Sequence, residues 1–235
     1  MRLLAIVLFS LTAGAAAASS CLQLAETGPR LIPASFDLGP EEVGVSFVGH
    51  ATYRIESPEG VSAVTDFAGF WGDGPPPDVA TMNRAHSSHW TPSPDPRIEH
   101  VLRGWAEDGG QADHWVQVGD MTIRNVPTDI RTWSGELSVF GNSIFIFEVA
   151  GLCIGHLGHL HHIPTDRHYG LIGRLDVVMV PIDGSYTMNV PAMIEVLERL
   201  RARVVLPMHW FGESNLRRFL DQMAETHAVR EPEGR

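Results

Sequence analysis

The sequence predicts an α/β protein in which helices cover the faces of β-sheets. The first part of the chain reads as short strands and hairpins, and the second part alternates strands with helices. No linker-like composition separates the two parts, so a single domain is expected over residues 28–230 of the 235. A hydrophobic content of 44% with 19% charged residues is sufficient for a substantial core.

Strand-like segments fill the first part of the chain. They are either alternating or wholly apolar, and Gly, Pro and Asp residues bound them. Between these strands, a helix is expected from about Asp95 to Trp105, and a loop is expected over residues 131–142. The predicted strands are a pair within 43–56, one at 61–67 that ends in Thr65-Asp66, one at 79–82, and hairpins at 115–126 and 143–154.

Helical periodicity appears in the second part. A short helix is expected within 165–175, and residues 190–201 carry an apolar stripe at helical spacing. A last amphipathic helix is expected at 215–224, with Ser214 as its N-cap. The buried strands predicted between these helices are 176–182 and 203–208, the second of which runs directly into His209.

The N-terminus has the composition of a secretory signal. Arg2 precedes the apolar run Leu3–Ala18, which is shorter than the roughly 20 residues of a transmembrane helix and ends in small residues. Residues 1–20 are therefore expected to be a signal peptide that is cleaved near Ala18. This would leave a secreted or periplasmic protein without a membrane span. Lipidation of Cys21 is the alternative.

Charge and cysteine content restrict the partners of the protein. The formal net charge of −11 argues against nucleic acid or an anionic membrane surface as a partner, and a small-molecule substrate is favoured. The two cysteines, Cys21 and Cys153, are too few for a disulfide scaffold. Cys153 is interpreted as a small buried hydrophobic residue within a strand.

Histidines cluster at three places that are far apart in the sequence. Four of them lie within residues 154–162, where the last predicted hairpin runs into a glycine-containing loop. Two more lie at 86–89, and His209 follows a buried strand. Neutral imidazole is the commonest metal ligand, and strand ends hold side chains rigidly. The three places are therefore expected to converge on one metal site.

A series of motifs follows a defined order between about Val43 and Phe211. They are Val48-Gly-His-Ala-Thr52, the strand-ending Asp66, the histidines at 86–89, His156-Leu-Gly158, the strand 176–181 and Pro207-Met-His209. This order resembles the metallo-β-lactamase-fold hydrolase superfamily, especially its branch of ascorbate-phosphate lactonases. The resemblance implies an αββα sandwich, in which two mixed β-sheets are flanked by helices and the metal site lies at one edge of the sheets.

The ligand motif of that superfamily is altered here. The family pattern is His-x-His-x-Asp-His, whereas this chain has Arg84 at the first position and Ser88 at the Asp position. His86 and His89 are retained. A proton-shuttling carboxylate has therefore become a hydroxyl, and one ligand position has become a guanidinium.

Three further ligands are implied by the resemblance. Asp129 is the best substitute for a histidine that the family places in the middle of the chain. His159 stands where the family has a metal-bridging Asp, and His209 matches the last ligand. The implied metal ligands are therefore His86, His89, Asp129, His159 and His209.

The altered ligand set predicts one metal ion rather than two. Without the bridging carboxylate, and with the positive charge of Arg84 nearby, two dications would repel each other with less compensation. One zinc or similar divalent transition metal can still acidify water and polarise a carbonyl or phosphoryl oxygen. Arg84 is expected to hold an anionic substrate group or oxyanion, or alternatively to form a salt bridge, and Asp66 is expected to orient a ligand histidine.

Several histidines allow a second interpretation. His156 is expected to be a buried hydrogen-bonding residue rather than a ligand. His161 and His162 fit either the surface of the loop or the wall of a pocket. His209 also fits a core histidine whose hydrogen bonds are satisfied. His50 is expected to donate only to backbone, and a role in lining the site is the alternative.

The preferred interpretation is an exported hydrolase that cleaves an ester, lactone, amide or phosphoester with metal-activated water. The first alternative is a non-catalytic protein that keeps the fold and binds metal or ligand, because ligand positions are substituted. The second is a metal-storage or metal-delivery protein, which would bind several ions weakly through the His-rich loop.

Overall fold

Two β-sheets form the centre of the protein, of which the computed structural model describes residues 20–22, 38–132 and 134–230. The first sheet contains five strands that lie side by side in sequence order. Its first two pairs are antiparallel and its last two are parallel. The strands are β1 (Gly44–Gly49), β2 (Thr52–Glu56), β3 (Ser62–Val64), β4 (Val79–Met82) and β5 (His100–Arg103).

The second sheet contains six strands. These are β6 (Trp115–Val118), β7 (Met121–Arg131), β8 (Leu137–Val149), β9 (Leu152–His156), β10 (Val177–Pro181) and β11 (Val204–Met208). Their spatial order is β11-β10-β9-β8-β7-β6. Strands β9, β10 and β11 are parallel, and the remaining pairs are antiparallel. Both sheets are therefore mixed, as the resemblance implied.

Side chains of β8 show how the layers are arranged. Phe145 and Phe147 belong to the core between the two sheets, together with residues of β2 and β3. Ile144 and Ile146 point the other way, into a second core that contains the apolar stripe of the helix at 190–200. This alternation is expected of a strand that is buried on both faces. The helices are α1 (Asp166–Ile172), α2 (Val190–Leu200) and α3 (Glu213–Met223).

Three predictions about individual elements are wrong. Residues 95–105 contain a turn and β5 instead of a helix, so side chains such as Ile98 and Trp105 cover the outer face of the first sheet. The expected loop at 131–142 contains the beginning of β8. Helix α3 begins after Gly212, and Ser214 is not its cap.

No helix in the described part of the chain is long and apolar enough to cross a membrane.

Cys21 and Cys153 form a disulfide bond, so the interpretation of Cys153 as an unpaired hydrophobic residue is wrong. Cys21 lies in a short 3-10 turn (Ser20–Leu22), whose position is also held by a hydrogen bond from the Arg174 N–H to the Cys21 carbonyl at 2.9 Å. The disulfide attaches this turn to β9. Residues 1–19 of the predicted signal peptide lie outside the described residues.

Candidate metal centre

Four histidines from both sheets meet at one edge of the sandwich. His86 and His89 follow β4 of the first sheet, whereas His159 follows β9 and His209 follows β11 of the second. Each offers a ring nitrogen, and these four atoms all lie within 4.8 Å of one another. His89, His159 and His209 are buried, and His86 is half-buried. The predicted convergence of the three histidine clusters is therefore present in the structure.

The spacing of the ring nitrogens suits a single tetrahedral ion. The Nε2 atoms of His86 and His159 are 3.0 Å apart, and those of His89 and His209 are 3.2 Å apart. A tetrahedral zinc ion with bonds of about 2.0–2.1 Å would separate neighbouring nitrogens by roughly 3.3–3.4 Å. These two pairs would open slightly around such an ion, whereas nitrogens as far apart as 4.8 Å would have to move closer together.

Asp66 orients His89 from behind. The Nδ1–H of His89 donates to Asp66 Oδ2 at 2.6 Å, and Asn83 Nδ2 donates to Asp66 Oδ1 at 2.8 Å. Burial alone would raise the pKa of Asp66, but the neighbouring His156 and His89 outweigh it and lower the pKa. Asp66 is therefore a buried carboxylate, and it leaves the Nε2 lone pair of His89 directed into the site. This is the contact that the predicted orienting role requires.

Asp183 lies next to Nδ1 of His209, as Asp66 lies next to Nδ1 of His89. Its Oδ1 lies 3.2 Å from His209 Nδ1, close enough for an ion pair although the two are not aligned as a hydrogen bond. The N–H groups of Ser185 and Tyr186 donate to Asp183 Oδ2 at 2.8 and 2.5 Å. Burial would raise the pKa of Asp183, but His209 and a hydrogen bond from Thr187 lower it. Sequence reasoning missed Asp183, although it directly follows a predicted strand.

Ser88 and His50 form a hydrogen-bonded chain behind His86. Ser88 Oγ lies 2.7 Å from His86 Nδ1 and 3.1 Å from His50 Nε2. The His50 ring centroid lies 4.2 Å from that of His209, so His50 lines the site rather than only contacting backbone. Burial, followed by the neighbouring histidines, lowers the pKa of both His50 and His86 to about 4. Both rings are therefore neutral at neutral pH, and neutral imidazole is the form that binds metals.

His159 is contacted by a further histidine of its loop. His161 Nε2 lies 2.5 Å from His159 Nδ1, which places His161 in the wall of the site. Burial and the surrounding histidines lower the pKa of His159. His156, by contrast, lies in the core, where its Nε2 is 2.8 Å from the Ala51 carbonyl oxygen, as expected for a residue that is not a ligand.

Asp129 does not join the four histidines. Its Oδ1 accepts a hydrogen bond from the Phe140 N–H at 2.9 Å, which ties β7 to β8. Its own N–H donates to His162 Nε2 at 3.2 Å. The group of potential metal ligands found among the described residues contains His86, His89, His159 and His209 but not Asp129. Asp129 is therefore not part of this group of ligands.

A cavity of about 770 Å³ opens beside His86 and His159. Its wall is partly cationic and partly apolar, and two arginines border it. Such a volume is typical of small-molecule sites in proteins. The residues that line the cavity next to the two histidines include Arg84, Ile130, Arg131, His161, Ser185 and Tyr186.

Comparison with known proteins identifies the family. Residues 44–209, which include every histidine of the metal site, match a family model described as a β-lactamase superfamily domain. The chain belongs to this superfamily. A protein of Pyrococcus abyssi named as a metal-dependent hydrolase is 25% identical over 198 residues, which cover 72% of this chain and 84% of that protein.

Solved structures show the same fold. A protein of the metallo-β-lactamase superfamily from Thermotoga maritima superposes with a TM-score of 0.58 at 24% identity, covering 82% of this chain and 96% of that one. Igni18, a metallo hydrolase from Ignicoccus hospitalis, superposes with a TM-score of 0.55 at 17% identity, covering 81% and 95%. The predicted superfamily and fold are confirmed, and the name of the Pyrococcus abyssi relative supports the predicted hydrolase class.

Proposed function

We propose that this metal-dependent hydrolase of the metallo-β-lactamase superfamily binds a single zinc-type ion through His86, His89, His159 and His209. The facing Nε2 atoms of His89 and His209 carry the proposal. His89 donates its Nδ1–H to the buried carboxylate of Asp66, and His209 has Nδ1 3.2 Å from the carboxylate of Asp183. Both rings therefore direct Nε2 into the site, where the two atoms lie 3.2 Å apart and could bind one cation between them.

The residues around such an ion would have different roles. When bound, the ion would supply Lewis acidity that acidifies a water molecule and polarises the bond to be cleaved. Asp66 and Asp183 hold the rings of His89 and His209 in the orientation that ligation requires. The cavity beside His86 and His159 would admit the substrate. An ester, lactone, amide or phosphoester would suit this chemistry.

Metal content and turnover test the proposal together. Purified protein should contain one zinc-type ion per chain by elemental mass spectrometry and should hydrolyse at least one member of a panel of chromogenic esters, lactones and phosphodiesters. The double variant His86→Ala, His89→Ala should lose the ion, and its turnover should fall by at least ~100-fold, because removing metal ligands removes the activated water. The variant His227→Ala, in a C-terminal turn away from the site, is the matched control.

Each alternative function has its own outcome in this experiment. One tightly bound ion without turnover would favour a non-catalytic binding protein. Several weakly bound ions per chain would favour metal storage or delivery. Activity that survives in the double variant would contradict the proposed site.

We also propose that the protein is exported. The Cys21–Cys153 disulfide supports this, because disulfides persist mainly in oxidising compartments. The signal-like composition of residues 1–20 supports it as well. Expression in a two-membrane bacterium should yield a shortened chain in the periplasmic fraction. Recovery of the full-length chain from the cytosol would contradict the proposal.

A further inference from the structure

Two arginines border the cavity beside the histidines of the proposed metal site. Arg84 follows β4, two residues before His86, and Arg131 ends β7. They bring positive charge to this place in a chain whose formal net charge is −11. A cleft lined by charge of one sign concentrates ligands of the opposite sign.

Arg84 has no protein partner for its charge in the described part of the chain. It is exposed, and its one hydrogen bond there runs from its backbone N–H to the Gly141 carbonyl at 3.4 Å. The ion pairs of the described residues do not include it. The alternative that Arg84 serves as a salt-bridge partner therefore has no support there, and its guanidinium donors remain open to a ligand.

Arg131 is held in place but is not neutralised. Its Nη2 donates to the Thr187 carbonyl at 3.1 Å, and its Nε lies 3.4 Å from His161 Nδ1. These contacts use two of the five guanidinium N–H groups, which leaves three without a partner among the described residues. The described residues that line the cavity include no Asp or Glu, and the nearby Asp129 and Asp183 accept hydrogen bonds from the Phe140 and Ser185 N–H groups.

We propose that the substrate carries a carboxylate or phosphate group that Arg84 and Arg131 bind while the bond to be cleaved lies at the four histidines. This rests on the proposed hydrolase function. A guanidinium presents paired N–H donors that match the two oxygens of such an oxyanion. Apolar atoms of Ile130 and Ala85, which also line the cavity, would contact the body of a small molecule.

A matched pair of esters tests the proposal. 4-Nitrophenyl benzoate is neutral, whereas the mono-4-nitrophenyl ester of terephthalic acid carries one carboxylate on the acyl side, in a rigid position from which it cannot attack its own ester. The zinc-loaded protein should favour the charged ester in kcat/KM by at least about tenfold, the size of one hydrogen bond to a charged group. That ratio should fall by about tenfold in Arg84→Gln and in Arg131→Gln. Arg217→Gln, which removes one positive charge from exposed helix α3, should leave the ratio unchanged.

Binding of free succinate separates this inference from the proposed function. If neither ester is hydrolysed, the hydrolase function fails for these substrates, and calorimetry with succinate decides the inference. Binding that is lost in the Arg84→Gln, Arg131→Gln double variant but kept in Arg217→Gln would support it, and absence of binding to the unaltered protein would overturn it. Hydrolysis of both esters without preference would also overturn it while the hydrolase function stood.

Discussion

At the scale of single residues, the site depends on which nitrogen of each ring carries the proton. His89 has Asp66 behind Nδ1, His209 has Asp183, and His86 has Ser88. An acceptor that is hydrogen-bonded to Nδ1, as Asp66 is for His89, fixes the tautomer that presents the Nε2 lone pair, and a carboxylate acceptor also makes the ring a stronger ligand. The residues behind the ligands therefore decide how tightly the site binds metal.

Asp66→Asn is expected to weaken zinc binding by about 10–100-fold, the usual effect of losing such a partner. The substitution keeps the shape of the side chain but removes the charge that favours His89 as a ligand. The amide of Asn can also turn its N–H groups towards Nδ1 of His89. They would then repel the Nδ1–H or, if Nδ1 is unprotonated, donate to its lone pair. Zinc affinity is measured by competition with a chromophoric chelator.

Asp78→Asn is the matched control for this substitution. Asp78 is a half-buried carboxylate that accepts a hydrogen bond from the Ser62 N–H at 2.7 Å in the first sheet, outside the group of four histidines. Its replacement should leave zinc affinity unchanged. An equal loss in both variants would mean that Asp66 acts only through general stability.

The sequence identified the four clustered histidines because each stands shortly after a predicted strand, and strand ends of a sandwich gather at its edges. It did not identify His50 as part of the wall or Asp183 as the partner of His209. Both roles depend on how loops from different strands pack together, which local patterns do not contain. The ligand role of Asp129 is implied by the resemblance alone, and in the structure this residue joins β7 to β8.

At the scale of elements, the loop after β9 holds His159 through tight packing of polar groups. Asn142 Oδ1 accepts from the His159 N–H at 2.7 Å, and Asn83 Oδ1 accepts from the Ser143 N–H at 2.7 Å. Gly158 lies between these groups with a φ of +58°, a backbone conformation that favours glycine. The position of His159 therefore depends on a residue without a side chain.

Gly158→Ala is expected to destabilise the fold by about 2–4 kcal/mol, through strain at positive φ and overpacking. A Cβ there would lie 2.3 Å from Asn142 Oδ1 and 2.5 Å from Asn83 Nδ2. Gly60→Ala is the control, because Gly60 also has a positive φ but would have nothing within 4 Å of a Cβ. Denaturant unfolding should show a loss of no more than about 2 kcal/mol for the control. Equal losses would show that backbone strain alone matters.

The strands were more predictable than the segments between them. The hairpin at 143–154 is predictable because its two strands are rich in apolar, β-branched and aromatic residues on either side of an Ala-Gly turn. The helix expected at 95–105 rested on a local pattern, whereas His100–Arg103 pair with the open edge of β4 in the structure. Pairing with a distant strand overrides local propensity, and a single sequence does not reveal which edges remain open.

At the scale of the whole molecule, the disulfide joins the start of the described chain to the sheet that supports the site. Cys21 and Cys153 are 132 residues apart in sequence, and β9, which contains Cys153, leads to His156 and the loop of His159. Neither spacing nor composition indicated this pairing, because it depends on where residues 20–22 pack. A Cys21 that is paired in this way is not available for lipidation.

Removal of this disulfide is expected to destabilise the protein by about 2–4 kcal/mol, because the cross-link restricts the unfolded chain over a long loop. Cys21→Ser tests this with little loss of packing around Cys153. Treatment of the unaltered protein with a thiol reductant should lower its stability to that of the variant, and the variant itself should not respond. The oxidised protein, once unfolded, should react with no thiol reagent. Detectable free thiols, or equal stability of the two proteins before reduction, would contradict the bond and weaken the support for export.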